Sequence, residues 1–425
     1  MVKMNLFFHR GPVRDPAYFF GRKQETAHLF NLLNRGQSVS ICGQRRLGKT
    51  SLLFHAMNQE VAAGYGLDSD QTIWVYIDGG ILDGLEEEAV YGAIDRGLQE
   101  SELESLPYEK LVGHIRTLSA QNRRLIVILD ELEAFTGNIR FQPRLFNRLR
   151  GLAAQFPVQF VTASKEPLAR LTFANPAVVG SSFFNIFASF RLPLFQEQEA
   201  VNMLASLSAR SGEEFQPDTI AFLLGLVGSH PHFLQVAGYH ALELQCEAEL
   251  SMEARQAVKE RTLEELDGHL EYYWNDLSVE ERYTLSAFPL LAFEGYSPLV
   301  AHLHDIGLLY ENKYLGSVLR EFVTRQSVAG LLRHGPFVMD ERRCLLAVNG
   351  KPVHLTPTEF AALRLLLQNL GRLVTPEDIE AGLWPDEIAP DPERARGIVK
   401  KLRTALGEAG EAIVTQRGQG YTLRE

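Results

Sequence analysis

Cysteine is scarce in this chain of 425 residues: only Cys42, Cys246 and Cys344 are present. They lie far apart and without metal-ligand spacing, which argues against both a disulfide framework and a zinc centre. No apolar run is long enough to cross a bilayer, and no tract is of low complexity. The opening residues, Met1 to Arg10, hold too short an apolar stretch for a secretory leader and no small-residue cleavage site. A cytoplasmic protein without a membrane partner is therefore expected. Positive charge is also in deficit, since 42 Lys and Arg face 53 Asp and Glu for a net charge of −11. As an average that argues against a polyanion partner, but charge acts locally and the C-terminal part departs from the average. The length exceeds one ordinary domain and implies about three.

What the chain does hold is Gly43-Gln44-Arg45-Arg46-Leu47-Gly48-Lys49-Thr50, a complete G-x-x-x-x-G-K-[ST] loop, directly after the apolar run Val39 to Cys42. Each residue type has a task there. Glycines let backbone N–H groups face phosphate oxygens, Lys49 reaches the outer phosphates, and Thr50 offers its hydroxyl to Mg²⁺. The following residues, Thr50 to Met57, read as a helix whose N-terminus points at the phosphates. Binding of ATP or GTP is expected. Further on, Ile73 to Asp78 reads as a buried strand, and Leu125 to Leu129 as another that ends in Asp130-Glu131. Strand and helix signals alternate as in a parallel sheet covered by helices. Asp130 at the strand's carboxyl edge suits Mg²⁺ or its water, and Glu131 suits polarisation of an attacking water.

On Phe20-Gly21-Arg22 with Glu25, Gly43 to Ser51, the Asp130-Glu131 strand, Phe160 to Ser164 and Gly228-Ser229-His230-Pro231, residues 15 to 330 resemble the AAA+-related ATPases of the archaeal-ATPase and STAND group. The resemblance implies a doubly wound P-loop α/β core over residues 1–193 and a helical lid over 194–275. It implies ATP with Mg²⁺ as ligands, a switch with slow or absent turnover, and homo-oligomers on activation. Carried over by position, Gly43, Gln44, Arg45, Arg46, Gly48, Lys49, Thr50 and Ser51 hold the nucleotide, and Lys49 and Glu131 are the catalytic pair. Thr50 and Asp130 hold the metal, Thr162 or Ser164 is the polar sensor, and His230-Pro231 approaches the base from the lid. Pro231 equally suits the start of a helix through Phe233, Val236 and Ala237. Lys23 replaces the acidic residue usual after Gly-Arg, and Arg170 and Arg191 are the candidates for an arginine finger.

From Leu194 the apolar spacing turns helical, through Ala200, Met203, Leu204, Leu207, then Phe222, Leu223 and Leu226. Ser278 with Glu281 forms a capping box, and the order that follows to Phe322 fits a winged-helix unit or a plain helical spacer over 276–330. A linker is expected near Val328 to Pro336. Beyond it, three helix starts repeat one device, a capping side chain before proline: Thr356-Pro357, Thr375-Pro376 and Asp391-Pro392. Short strands precede them, with an Asn349-Gly350 turn, and a hairpin around Gly418-Gln419-Gly420 follows. Strands, three helices and a terminal hairpin describe a winged helix. In the third helix Ala395, Val399, Leu402 and Leu406 make a core stripe, leaving Arg394, Arg396, Lys400, Lys401, Arg403 and Thr404 on the flanks and outer face.

From Leu355-Thr356-Pro357-Thr358-Glu359-Phe360, Gly371 to Thr375, Leu383-Trp384-Pro385, Lys401-Leu402-Arg403, Leu406-Gly407 and Val414 to Tyr421, residues 335–425 resemble the OmpR/PhoB-type DNA-binding domain. The resemblance implies double-stranded DNA as partner. It places Arg394, Arg396, Lys400, Lys401, Arg403 and Thr404 on the recognition helix, with Thr415 and Arg417 on the wing. Such domains commonly follow a phospho-acceptor receiver; here the ATPase module stands in that place. A nucleotide-gated transcription regulator is the leading expectation. An oligomerising sensor or defence-type ATPase whose C-terminal domain binds proteins or unspecific DNA is one alternative, and an AAA+ DNA-remodelling or loading enzyme is the other.

Overall fold

The computed structural model describes residues 4–7, 10–82, 84–99, 104–174, 182–245, 250–291, 297–311, 313–385 and 391–424. Cys246 lies outside them; Cys42 and Cys344 are free thiols. No helix among the described residues is long and apolar enough to cross a membrane. The chain forms two compact units, residues 1–266 and 267–425, so that the division falls inside the helix Met252–Asp276.

The first unit is built on five parallel strands, β1 (Ser38–Cys42), β2 (Thr72–Asp78), β3 (Arg124–Asp130), β4 (Val158–Ser164) and β5 (Phe187–Arg191), in the order β2-β3-β4-β1-β5. Strand β1 is buried along its whole length and β3 at every residue but Arg124, and the continuous apolar run Leu125 to Leu129 follows from burial on both faces. Along β3, Ile126 and Ile128 join Val39, Ile41 and Val161 under Leu29, Leu33, Leu52 and Leu53. Leu125, Val127 and Leu129 point the other way, into Tyr91, Ile94, Leu111, Phe146 and Leu149. Because β4 lies between β1 and β3, the carboxyl edge of the sheet sets Ser164 between the phosphate loop and the acidic pair. Helices Glu197–Arg210, Pro217–Val227 and Pro231–Leu244 follow, the first opened by a Gln196/Glu199 capping box and burying Ala200, Met203, Leu204 and Leu207.

The second unit starts with helices Val279–Leu291 and Pro298–Asp305, a hairpin of β6 (Leu309–Tyr310) with β7 (Lys313–Tyr314), and helix Ser317–Arg325. Ser278 and Glu281 exchange the two expected capping bonds. The expected linker is instead structured. Leu331–His334 forms β8, which pairs with β9 (Phe337–Asp340) across a Gly335-Pro336 turn, and β10 (Leu345–Val348) and β11 (Lys351–Val353) complete an antiparallel sheet. The reason is packing. Helix Val279–Leu291 lays Tyr283, Ala287 and Leu290 on Leu331 and Ala347, and Arg333 donates to the carbonyls of Ser286 and Val323. Tyr283 donates its hydroxyl to Asp340, which is fully buried, and the Arg342 guanidinium lies over the same ring, 4.4 Å from its centroid.

Three helices come next: Pro357–Gln368, Pro376–Leu383 and Pro392–Leu406, capped by Thr356, Thr375 and Asp391. Cys344 sits in the turn just before β10, at φ 55°. Asn349 and Gly350 both have positive φ, as a two-residue hairpin turn requires. The chain ends in the wing, β12 (Ile413–Gln416) and β13 (Gly420–Leu423). Gly420 passes so near Val374 that a Cβ there would lie 2.3 Å from its carbonyl oxygen, and this closeness lets Val374 and Tyr421 exchange two backbone bonds.

Candidate functional site

At the carboxyl edge of β1 the chain turns through Gly43 to Gly48 and enters the helix Lys49–Met57. Gly48 is left-handed, at φ 92°, and provides no side-chain cap, so the first N–H groups of the helix face outward as an anion site. Lys49 folds back over the loop: its Nζ donates to the carbonyls of Gly43 at 2.6 Å and Gln44 at 2.9 Å. Burial draws its pKa down, against Glu133 and Asp130, which raise it. Thr50 donates its hydroxyl to Asp130 Oδ2 at 2.8 Å, so the two expected metal-binding residues are already in contact. A helix start open to anions, a lysine and a Thr-Asp pair with an oxygen-rich donor set fit a magnesium nucleotide. Arg45 and Arg46 are exposed on the loop, and Ser51 accepts from the Val13 N–H at 3.0 Å.

Glu131 lies just past β3 in a left-handed conformation, φ 51°, which turns it out of the strand and makes it the N-cap of helix Leu132–Gly137. Its pKa is raised, first by desolvation and then by Asp78 and Asp130. Asp78 is in register with Asp130 on the neighbouring strand. The two sensor candidates separate here. Ser164 closes β4, its carbonyl accepts from Gly43 N at 3.1 Å, and its hydroxyl donates to the Glu166 carbonyl at 2.7 Å. Thr162 lies two pairs deeper, fully buried beside Ser40, its hydroxyl without a partner among the described residues.

His230 and Pro231 open the helix Pro231–Leu244: the His230 Nδ1 accepts from Phe233 N, and its ring stacks on Phe233 at 3.9 Å. Their route to the loop runs through Arg22. Phe195 N donates to the Ser229 carbonyl, the Arg22 guanidinium lies 4.7 Å from the Phe195 ring, and Arg22 donates to the Leu47 carbonyl at 3.0 Å. Glu199 of the lid accepts from the Arg22 N–H at 2.7 Å. Of the finger candidates, Arg191 stands at the sheet edge in register with Cys42, and Arg170 pairs with Glu166.

Sequence reasoning gave Tyr76 no role. It sits on β2 and donates to Asp130 Oδ2 at 2.9 Å, and burial with the adjoining Asp130 pushes its pKa up. The signal available was a phenol two residues before the end of a strand otherwise read as apolar.

In the second unit Ala395, Val399, Leu402 and Leu406 are buried, as the stripe required. Arg396, Lys400, Lys401 and Thr404 are exposed on the opposite side, and Arg417 is exposed on the wing turn. Four of the expected contacts, Arg394, Arg396, Arg403 and Thr415, are partly engaged within the domain. Arg394 stacks 3.3 Å from the Trp384 ring centroid, and Arg396 pairs with Glu393. Arg403 faces the wing: it donates to the Ile413 carbonyl at 3.1 and 2.6 Å and to Thr415 Oγ1 at 2.7 Å. That geometry makes Arg403 and Thr415 a brace between helix and wing.

Comparisons with known proteins address both units. The family model for Novel STAND NTPase 2 matches residues 33–288, more than half of the chain. The model for the C-terminal region of transcriptional regulatory proteins matches residues 350–423. The sensory transduction protein RegX3 of Mycolicibacterium smegmatis is 35% identical over 97 residues, covering 22% of this chain and 42% of its own. The transcriptional regulatory protein QseB of Escherichia coli O157:H7 is 36% identical over 104 residues, 24% of this chain and 46% of its own. The chain spans less than half the length of these curated relatives. A Walker-type ATPase of Pyrococcus abyssi superposes with a TM-score of 0.55 at 17% identity over 75% of this chain and 99% of that one, a likeness of fold.

Proposed function

The chain belongs to the Novel STAND NTPase 2 family and joins that module to an OmpR/PhoB-type domain, and from this premise we propose that it is an ATP-gated, DNA-binding transcription regulator. The observation that carries the reading is one polypeptide with a complete phosphate loop, its Thr50 in contact with Asp130, and a helix that shows Arg396, Lys400 and Lys401 to solvent. When bound, the magnesium nucleotide supplies the phosphate charge that distinguishes the two states of the switch. Lys49 exchanges the Gly43 and Gln44 carbonyls for an outer phosphate oxygen, and the open N–H groups at the helix start take the others. Thr50 and Asp130 would hold the metal, which would neutralise charge on the phosphates, and Glu131 would orient a water for the slow hydrolysis that resets the switch. Ser164, between loop and acid, is the better placed of the sensor candidates, and Arg22 carries lid position to the loop through Leu47. On DNA, Arg396, Lys400, Lys401 and Thr404 enter the groove and Arg417 meets the backbone from the wing. Assembly of several copies on ATP binding positions these helices.

A gate works only if its two states differ in affinity for DNA. The test is selection of bound sequences from a random pool by the full chain with ATP, with ADP and without nucleotide, with sedimentation in the same three conditions. An enriched motif whose affinity changes about tenfold or more between ATP and ADP supports the reading. Identical binding and identical sedimentation in all three would reject it and leave two independent modules.

A further inference from the structure

Tyr76 stands in the acid corner without belonging to either nucleotide motif. Its hydroxyl and that of Thr50 converge on one oxygen of Asp130, Oδ2, at 2.9 and 2.8 Å, while the Glu131 N–H donates to the other at 3.0 Å. Asp130 is only 3% exposed, so its oxygens must find hydrogen-bond donors inside the protein, and these are they. The phenol is itself held. Its ring packs on Phe54 with centroids 4.9 Å apart, and the Arg14 guanidinium covers Phe54 at 4.0 Å. Phe54 is one turn after Thr50 on the same helix, so that helix fixes the Tyr76 ring with one residue and shares Asp130 with it through the other.

Two donors on a single oxygen stop the carboxylate from turning about its last bond. Resting on the nucleotide reading above, we propose that Tyr76 is a positioning residue for magnesium: it does not touch the ion but holds Asp130 in the orientation in which Asp130 and Thr50 receive it. Partners of this outer kind alter metal affinity by about 10–100-fold when removed. Tyr76→Phe keeps the ring and its packing on Phe54 and deletes only the donor.

The experiment is calorimetric titration of the full chain with a non-hydrolysable ATP analogue at graded Mg²⁺ concentrations. Tyr76→Phe is expected to raise the Mg²⁺ concentration needed for half of the affinity gain about tenfold, with affinity in excess EDTA unchanged. Phe54→Leu, which loosens the ring but keeps the hydroxyl, is expected to give a smaller shift in the same direction. In an Asp130→Asn background Tyr76→Phe is expected to add nothing, because its effect passes through the carboxylate. Melting of each variant without nucleotide checks that it is folded. An unchanged Mg²⁺ requirement in Tyr76→Phe overturns the proposal, as does a shift that persists undiminished beside Asp130→Asn. Absence of Mg²⁺-dependent nucleotide binding in the parent would overturn the nucleotide reading itself, a result visible before any variant is made.

Discussion

Lys49 and Lys400 carry the same charge, and the structure treats them in opposite ways. Lys49 is half-buried, its ammonium is spent on two loop carbonyls, and burial lowers its pKa. Lys400 is exposed, as are Lys401 and Arg417. The first arrangement suits a compact anion: the cation, the helix start and the Thr50–Asp130 pair stand assembled, so little has to be ordered when the ligand arrives. The second suits a long polyanion, where hydrated charges act one by one and binding is driven by release of counterions. The lesson is that a charge already paired inside the protein is a sign of preorganisation in one region and of lost binding capacity in the other. Arg403, braced to Ile413 and Thr415, belongs to the braced class although it sits on the same helix as Lys400.

The largest expected effect tests whether helix Pro392–Leu406 is fixed by its core stripe rather than by its charges. Leu402→Ala should destabilise the second unit by about 2–5 kcal/mol without altering the salt dependence of whatever DNA binding remains, measured by thermal melting and by titration at several salt concentrations. Lys49→Ala should lower nucleotide affinity by at least about 1.5–3 kcal/mol, the usual worth of a charged hydrogen bond, in calorimetry. If that variant binds ATP like the parent, the assembled site is misassigned. Arg403→Ala should cost roughly 1.5–3 kcal/mol of stability through its lost bonds, with little change in salt slope. A slope change as large as that of Lys400→Ala would instead put Arg403 on the DNA. For Lys400, Lys401 and Arg417, each substitution by Ala should reduce the slope of log affinity against log salt by about 0.9. A folded triple variant with unaltered affinity and slope would turn the winged helix into a protein-docking module.

The smallest expected effect concerns pH. Glu131 has a folded-state pKa above its ordinary value, so the folded chain holds more protons than the unfolded chain between the two. Its contribution therefore opposes folding more as pH rises through that window, and the penalty is complete above it. Glu131→Gln should remove the penalty, raising the melting point slightly at neutral pH and leaving it unchanged at low pH. The gain should be no more than about 1 kcal/mol, because Glu131 is exposed and water screens its neighbours. The same variant should bind ATP and stop turning it over, read by phosphate release.

The features legible in sequence are the ones set by neighbours in the chain. The phosphate loop, the acidic end of β3 and the three proline-assisted helix starts each depend on residues within a turn or two, and Thr356, Thr375 and Asp391 cap as read. The order of strands was not legible, because β4 enters between β1 and β3 through packing over more than a hundred residues of sequence separation. Tyr76 escaped for a related reason: its spacing marks only a strand, and its role arises when β2 lies beside β3 in register. For Arg403 the helical wheel gave a flank position, but its direction was decided by the return of the chain at Ile413. The Val328 to Pro336 segment has the composition of a linker, yet Leu331 and Leu332 form strand once helix Val279–Leu291 offers a partner to the first and the core of the C-terminal fold a partner to the second.

That helix has a consequence for how the C-terminal part can be cut out or exchanged. A fragment begun at Gly335 would lack β8, expose Ala347 and Val338, and strip Asp340 of the Tyr283 hydroxyl. A fragment begun at Asp267 keeps all of these. The portable cassette of this protein therefore includes the helices ahead of the winged-helix fold, and a graft of that fold onto another protein would carry them along as its own foundation.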